Sequence, residues 1–194
     1  SWTNIVNHLY LTSQGIYGTA LGVISTYVFH FVLFGVLATR IGLGQLFIDL
    51  ASALAGRFAG GPAKVSVISS GLMGTISGSG VANVVTTGQF TIPMMKRLGY
   101  KSSIAGAVEA LASNGGQIMP PVMGATAFII AEFLQIPYSE VVFAALVPAV
   151  IYFLVLFVKI DAIAATENIA GLGADELPSL RDTLKGSWIF FLPL

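Results

Sequence analysis

Gly74-Thr75-Ile76-Ser77-Gly78-Ser79-Gly80 lies in the middle of a stretch, Val65 to Met95, that carries no charge. Glycine weakens a helix and serine favours caps and turns, so these seven residues interrupt a segment otherwise long enough to cross a bilayer. Two arms of about a dozen residues each reach only about 18 Å, short of a hydrocarbon core roughly 30 Å thick. The pattern predicts a re-entrant helical hairpin that leaves the membrane on the side it entered.

Charge placement supports that reading. Arg57 and Lys64 precede the hairpin, and Lys96, Arg97 and Lys101 follow it. With both mouths on one side, the remaining basic residues, Arg40, Lys159, Arg181 and Lys185, fall on that side too, and all nine face the cytoplasm. The segments assigned to the outer side, Ser1 to Gly15 and the turn around Gln135 to Ser139, hold no lysine or arginine.

The flanking sequence is that of an all-α integral membrane protein. Of 194 residues 55% are hydrophobic and 9% charged, and the mean hydropathy is +0.85. Nine basic and nine acidic side chains cancel, which leaves no basic field to hold nucleic acid. Without cysteine and with two separated histidines, thiolate chemistry, disulfides and histidine metal clusters are excluded, and no enzyme class is indicated. No secretory signal pattern opens the chain, and its ends read as those of a piece of something longer.

Four regions are expected. Residues 1–62 hold a spanning helix from Ile16 to Thr39 and an amphipathic helix, Leu43 to Gly61, at the interface. Residues 63–136 hold the hairpin and a discontinuous span, Ser102 to Leu134, broken at Asn114-Gly115-Gly116 and Pro120-Pro121. Residues 137–160 form a span from Pro137 to Val158 closed by Lys159. Residues 161–194 are a cytoplasmic connector leading to another span near Trp188.

Unwound backbone is tolerated in a bilayer only where protein or a water-filled cavity satisfies it, so the hairpin tip and the Asn114 break should face each other. Ser77, Gly78, Ser79, Gly80 and Asn83 at the tip, with Asn114, Gly115, Gly116 and Pro120 at the break, form the candidate binding set. Hydroxyl, amide and carbonyl oxygens from Ser77, Ser79, Asn83, Asn114 and Gly116, with no carboxylate among them, suit Na⁺ better than Ca²⁺ or Mg²⁺. Helix N-termini after each break favour an anionic group beside the cation. The serines could instead satisfy neighbouring carbonyls, and Pro120-Pro121 reads more readily as a kink than as a contact.

Glu109, about seven residues into its span, needs a partner or a proton and is a candidate coupling carboxylate or a hydrogen-bonded structural one. His30 reads as a packing or interhelical hydrogen-bonding residue. Gly18/Gly22 and Gly74/Gly78 have helix-packing spacing, and Gly78-Ser79-Gly80 lacks the strand and final glycine of a dinucleotide fingerprint.

The run from Gly60 to Phe133, with TISGSGVAN and NGGQIMPP at this separation, resembles the large membrane subunit of TRAP transporters, the tripartite ATP-independent periplasmic family, of the fused-permease type. The resemblance implies Na⁺-driven uptake of small organic acids by an elevator-like movement. The partners would be an extracytoplasmic solute-binding protein, a small membrane subunit or its fused equivalent, a second inverted half of the permease, and lipid. It also implies a bacterial or archaeal cytoplasmic membrane and no cofactor beyond Na⁺. The sequence supplies only the first half of that inverted repeat. A pore subunit with the hairpin as filter, and a non-transporting assembly module, are the rival readings.

Overall fold

The structure, a computed structural model, describes residues 1–12, 15–181 and 183–184. Among them every regular element is helical. The span expected near Trp188 lies outside the described residues.

After α1 (Trp2–Leu11), the first span runs from Thr19 to Arg40 over 22 residues, as α2 (Thr19–Val23), a π-helical turn (Ile24–Val28) and α3 (Phe29–Arg40). His30 bonds within this helix, its Nδ1 2.7 Å from the Thr26 carbonyl. Gly22 faces open space and takes no part in close packing. Then α4 (Leu43–Ala55) turns its buried face, Ile48, Ala51 and Ala55, toward α5 (Gly61–Ser77), so protein covers the apolar side of this amphipathic helix.

α5 and α6 (Gly80–Arg97) form the hairpin, 17 and 18 residues long. Each arm therefore reaches about 26 Å, not the 18 Å expected, because Gly74 to Ser77 stay helical and only Gly78 and Ser79 leave the helix. The glycines that read as breakers serve close packing instead. Pro62 starts α5 in its first turn, where its missing N–H costs nothing. Gly78, at φ 58°, stops it, and the Ser79 hydroxyl caps α6 by accepting from the Ala82 N–H at 3.3 Å.

α7 (Ser102–Gly115) ends in a single 3-10 turn (Gly116–Ile118). The chain crosses a cis Pro120-Pro121 peptide and resumes as α8 (Ala125–Leu134), so the helix is interrupted where the sequence predicts a break. α9 (Tyr138–Thr166) is 29 residues long and apolar enough to cross a membrane; it continues past Lys159 into what was expected to be connector.

Apolar side chains cover the outside of the bundle as well as filling its core, and the core also takes in polar groups. Phe143, Val147, Leu154 and Val158 of α9 are exposed, while Ser66, Ser69, Ser70, Asn83, Thr87, Thr91, Glu109 and Ser113 are buried. Apolar surface facing outward and polar groups facing the bundle interior is the arrangement a lipid solvent selects. The core joins α5, α6, α7 and α9 through Val67, Met95, Val108, Ala112, Phe153 and Ile160.

Both feet of the hairpin lie at one end of this bundle. There Lys64 pairs with Asp161 of α9 at 2.5 Å, Arg97 with Glu176 at 3.1 Å and Lys101 with Glu167 at 2.7 Å. Tyr100 donates to the Gly60 carbonyl at 3.3 Å, and burial together with nearby Asp161 pushes its pKa up to about 12, which keeps it a donor.

Candidate functional site

The tip of the hairpin rests on the break in α7–α8. A Cβ at Gly78 would strike the Met123 carbonyl, and one at Gly74 would strike the Gly116 backbone. A Cβ at Gly80 would sit 2.7 Å from Gln117 Nε2 and 3.1 Å from Asn114 Oδ1. Only residues without side chains allow this approach, and that is the physical reason for glycine on both sides of the contact. Tip and break also lie against interior positions of the two spans: Gly35 of α3 faces the Ser77 backbone, and Gly115 lies under Tyr152 and Phe153 of α9.

A cavity of about 250 Å³ opens beside this junction, lined by Ser77, Gly78, Ser79, Gln117 and Thr126 with apolar walls from Phe31, Val122 and Phe128. Its lining holds no carboxylate and no basic side chain. α8 begins at this wall, its N-cap residue Gly124 offering no side chain, so positive partial charge from its free N–H groups faces the cavity. On the other side of Ser77 and Ser79 lies a groove of about 440 Å³, lined by Thr39, Arg40, Val85 and Thr86. Two cavities of similar or larger size lie elsewhere. One of about 540 Å³ at the feet includes the Arg97–Glu176 pair, and an aromatic one of about 630 Å³ lies between the first span and the α8–α9 turn. Neither touches the hairpin tip.

The sequence-derived residues separate into two groups. Ser77, Gly78 and Ser79 face the cavity, half-buried. Asn114 joins that side through Gln117, whose Nε2 donates to Asn114 Oδ1 at 2.9 Å, with buried Gly80 packed against both. Asn83 and Gly116 lie behind, inside the bundle. Asn83 is fully buried, its Nδ2 donating to the Ser70 carbonyl at 2.7 Å and facing Gly116. Gly115 is buried, and half-buried Pro120 shapes the turn leading to α8.

Glu109 is fully buried and receives hydrogen bonds from five hydroxyls. Its Oε1 accepts from Thr87 at 2.5 Å, Ser113 at 3.1 Å and Ser70 at 3.3 Å. Its Oε2 accepts from Thr91 at 2.5 Å and Ser66 at 2.7 Å. The carboxyl group therefore ties both hairpin arms to α7. Sequence reasoning singled out Glu109 and missed its shell, as it missed Gln117 and Thr126. A signal for the shell is present: Ser66/Ser70, Thr87/Thr91 and Glu109/Ser113 are each spaced i, i+4, which places each pair on one helix face.

The sequence profile described as the tripartite ATP-independent periplasmic transporter, DctM component, matches residues 1–194. The chain is 28% identical over 159 residues to the C4-dicarboxylate TRAP transporter large permease protein DctM of Pseudomonas aeruginosa, covering 81% of this chain and 37% of that protein. It is 26% identical over 165 residues to the 2,3-diketo-L-gulonate TRAP transporter large permease protein YiaN of Escherichia coli, covering 84% and 38%. Over 91 residues it is 34% identical to the isethionate TRAP transporter permease protein DctMQ of Oleidesulfovibrio alaskensis, covering 47% and 14%. The chain thus spans less than two-fifths of the length of these relatives. With its all-helical build, its exposed apolar helices and a full-length profile match, the chain belongs to the DctM-component family of TRAP transporter permeases, a membrane family.

Proposed function

We propose that this chain forms half of the mobile transport unit of a Na⁺-coupled permease that takes up small organic acids delivered by an extracytoplasmic solute-binding protein. The observation that carries the proposal is the apposition of the Ser77-Gly78-Ser79 tip and the Asn114–Gln117 break around a carboxylate-free cavity. Neutral oxygens in such a place fit Na⁺: the Ser77 and Ser79 hydroxyls line the cavity, the Asn114 amide joins them through Gln117, and Asn83 and Gly116 hold the wall behind them. A bound Na⁺ adds the positive charge that a substrate carboxylate or sulfonate needs, next to the N-terminal ends of α6 and α8. Coupling then requires only that each ligand bind better to the geometry the other favours.

The same reading makes the hairpin re-entrant. Arms of 17 and 18 residues nearly match the core thickness, and the tip rests against Gly35, five residues before the Arg40 end of the first apolar helix, with both basic feet at the other end of the arms. The remaining elements of the proposal are an elevator-like movement of hairpin and broken helix, a small membrane subunit or fused equivalent, a second inverted half, lipid contact along α9, and residence in a bacterial or archaeal inner membrane. The substrate names printed for the relatives, C4-dicarboxylate, 2,3-diketo-L-gulonate and isethionate, support small organic anions as the cargo class.

The test is uptake by the complete transporter with its binding protein in proteoliposomes, with and without an inward Na⁺ gradient. Accumulation that collapses without Na⁺ is expected. Equal uptake in both conditions removes the coupling, and Na⁺-independent currents replace it with a pore.

A further inference from the structure

Glu109 lies behind the cavity, and the proposed Na⁺ site makes no use of it. We infer that Glu109 is a proton-binding site that ties the two hairpin arms to α7 in either charge state and, on taking up a proton, turns a threonine hydroxyl of α6 and so alters the bonding at Asn83, against the break. This inference does not depend on Na⁺ at the tip.

Three observations carry it. The first concerns partners. No charged or titratable side chain is among the hydrogen-bond partners of Glu109: α5 brings Ser66 and Ser70, α6 brings Thr87 and Thr91, and α7 brings Ser113. The charged groups of these helices that form ion pairs sit at the feet, Lys64 with Asp161 of α9 and Arg97 with Glu176. Tyr152 of α9 donates to the Leu111 carbonyl instead. A buried carboxylate whose hydrogen-bond partners are all neutral hydroxyls has no basic side chain tied to its charge, and one proton is enough to remove that charge.

The second observation is that the shell serves both charge states. A carboxylate accepts at about four positions, and each hydroxyl carries one proton. Thr87 has a second acceptor, the Asn83 carbonyl at 2.9 Å, and Thr91 has the Thr87 carbonyl at 3.1 Å. When Glu109 takes up a proton on Oε1 or Oε2, the new O–H donates to Thr87 Oγ1 or Thr91 Oγ1. That threonine then turns its own proton to the helix carbonyl. One O–H bond forms, no covalent bond breaks, and no polar atom is orphaned. Among the described residues no buried side-chain polar atom lacks a partner in the structure as it stands.

The third observation is how closely the shell is drawn in: the Thr87 and Thr91 hydroxyls stand 2.5 Å and the Ser66 hydroxyl 2.7 Å from the carboxyl oxygens, the short contacts of hydroxyls on a carboxylate.

The network also reaches the break. Thr87 Oγ1 lies 3.3 Å from Asn83 Oδ1, and Asn83 faces Gly116 while its Nδ2 holds the Ser70 carbonyl. Turning the Thr87 hydroxyl therefore changes the hydrogen bonding of the side chain packed on the break.

The experiment is infrared difference spectroscopy between acidic and alkaline buffer on the complete transporter in lipid, at constant Na⁺, comparing wild type with Glu109→Gln. The expected result is a protonated-carboxyl C=O band that fades at alkaline pH in wild type and is missing from Glu109→Gln. Thr91→Val, which removes a donor to the charged form, should strengthen that band at a given pH, and it serves alone if Glu109→Gln does not fold. Uptake at saturating Na⁺ should vary several-fold with pH in wild type and lose that component in Glu109→Gln. Identical difference spectra in wild type and variants overturn the proposal. A band that responds to Na⁺ at fixed pH and not to pH at fixed Na⁺ also overturns it, making Glu109 a cation ligand.

Discussion

The hairpin uses the same few residue types, serine, threonine, asparagine and glycine, in opposite ways at its tip and at its middle. At the tip, Ser79 caps a helix, Ser77 lines a cavity, and Gly78 bends the chain against Met123. Two to three helical turns below, Ser66, Ser70, Thr87 and Thr91 point inward to one carboxyl group and leave no polar atom open. Hydroxyls gathered on an internal partner make a rigid junction, whereas the two at the tip, each accepting one backbone N–H, keep a further lone pair that a ligand beside the cavity can use. The two regions should therefore separate under mutation, the middle governing stability and the tip governing ion response.

The largest effect is expected at the middle. Glu109→Ala deprives Ser66 and Ser113 of their acceptor, at about 1–3 kcal/mol for each orphaned hydroxyl, and leaves a cavity between three helices. Thermal unfolding in detergent should show a collapse of Tm or no folded protein, with Glu109→Gln intermediate. A Glu109→Ala variant of unchanged Tm would mean that the shell holds nothing together.

Next comes the seam between the regions. Gly74→Ala sets a methyl group on the Gly116 backbone, an overpacking that costs about 1–3 kcal/mol and moves the tip off the break. Uptake should fall to background while the protein still folds, and retained uptake would detach the seam from the site.

Smaller in stability, larger in function, is the tip itself. Ser79→Ala removes the α6 cap at a cost of about 1 kcal/mol, and with Ser77→Ala it should abolish most of the Na⁺ dependence of uptake. The smallest effect belongs to the feet: Lys101→Ala breaks an exposed pair with Glu167 and should change Tm by less than about 1 kcal/mol equivalent. A larger change there would show that the end of the bundle, rather than its middle, sets stability.

How far the sequence could be read follows the same division. The two spans are legible because a long uncharged apolar run has few alternatives in water or lipid. The break at Asn114-Gly115-Gly116 is legible because glycines and a proline pair forbid a continuous helix there. The arm lengths were not. Glycine marks either an unwound backbone or a close approach, and Gly74 and Gly80 turned out to pack against Gly116 and Gln117 rather than to unwind. Asn83 reads from sequence as a ligand beside the tip; its placement inside the hairpin depends on a register that no local pattern announces. The shell of Glu109 is spread over helices 43, 22 and 4 residues away in sequence, so its i, i+4 pairs acquire meaning only once three helices are known to meet.

The most direct test of the account places a cysteine at Ser77 in this otherwise cysteine-free chain, with the rest of the transporter also freed of cysteine, and follows its labelling by a membrane-impermeant thiol reagent. A water-reachable tip site predicts labelling that Na⁺ slows and that Na⁺ with substrate slows further. A thiol that never reacts, or that reacts at the same rate whether or not Na⁺ and substrate are present, contradicts it.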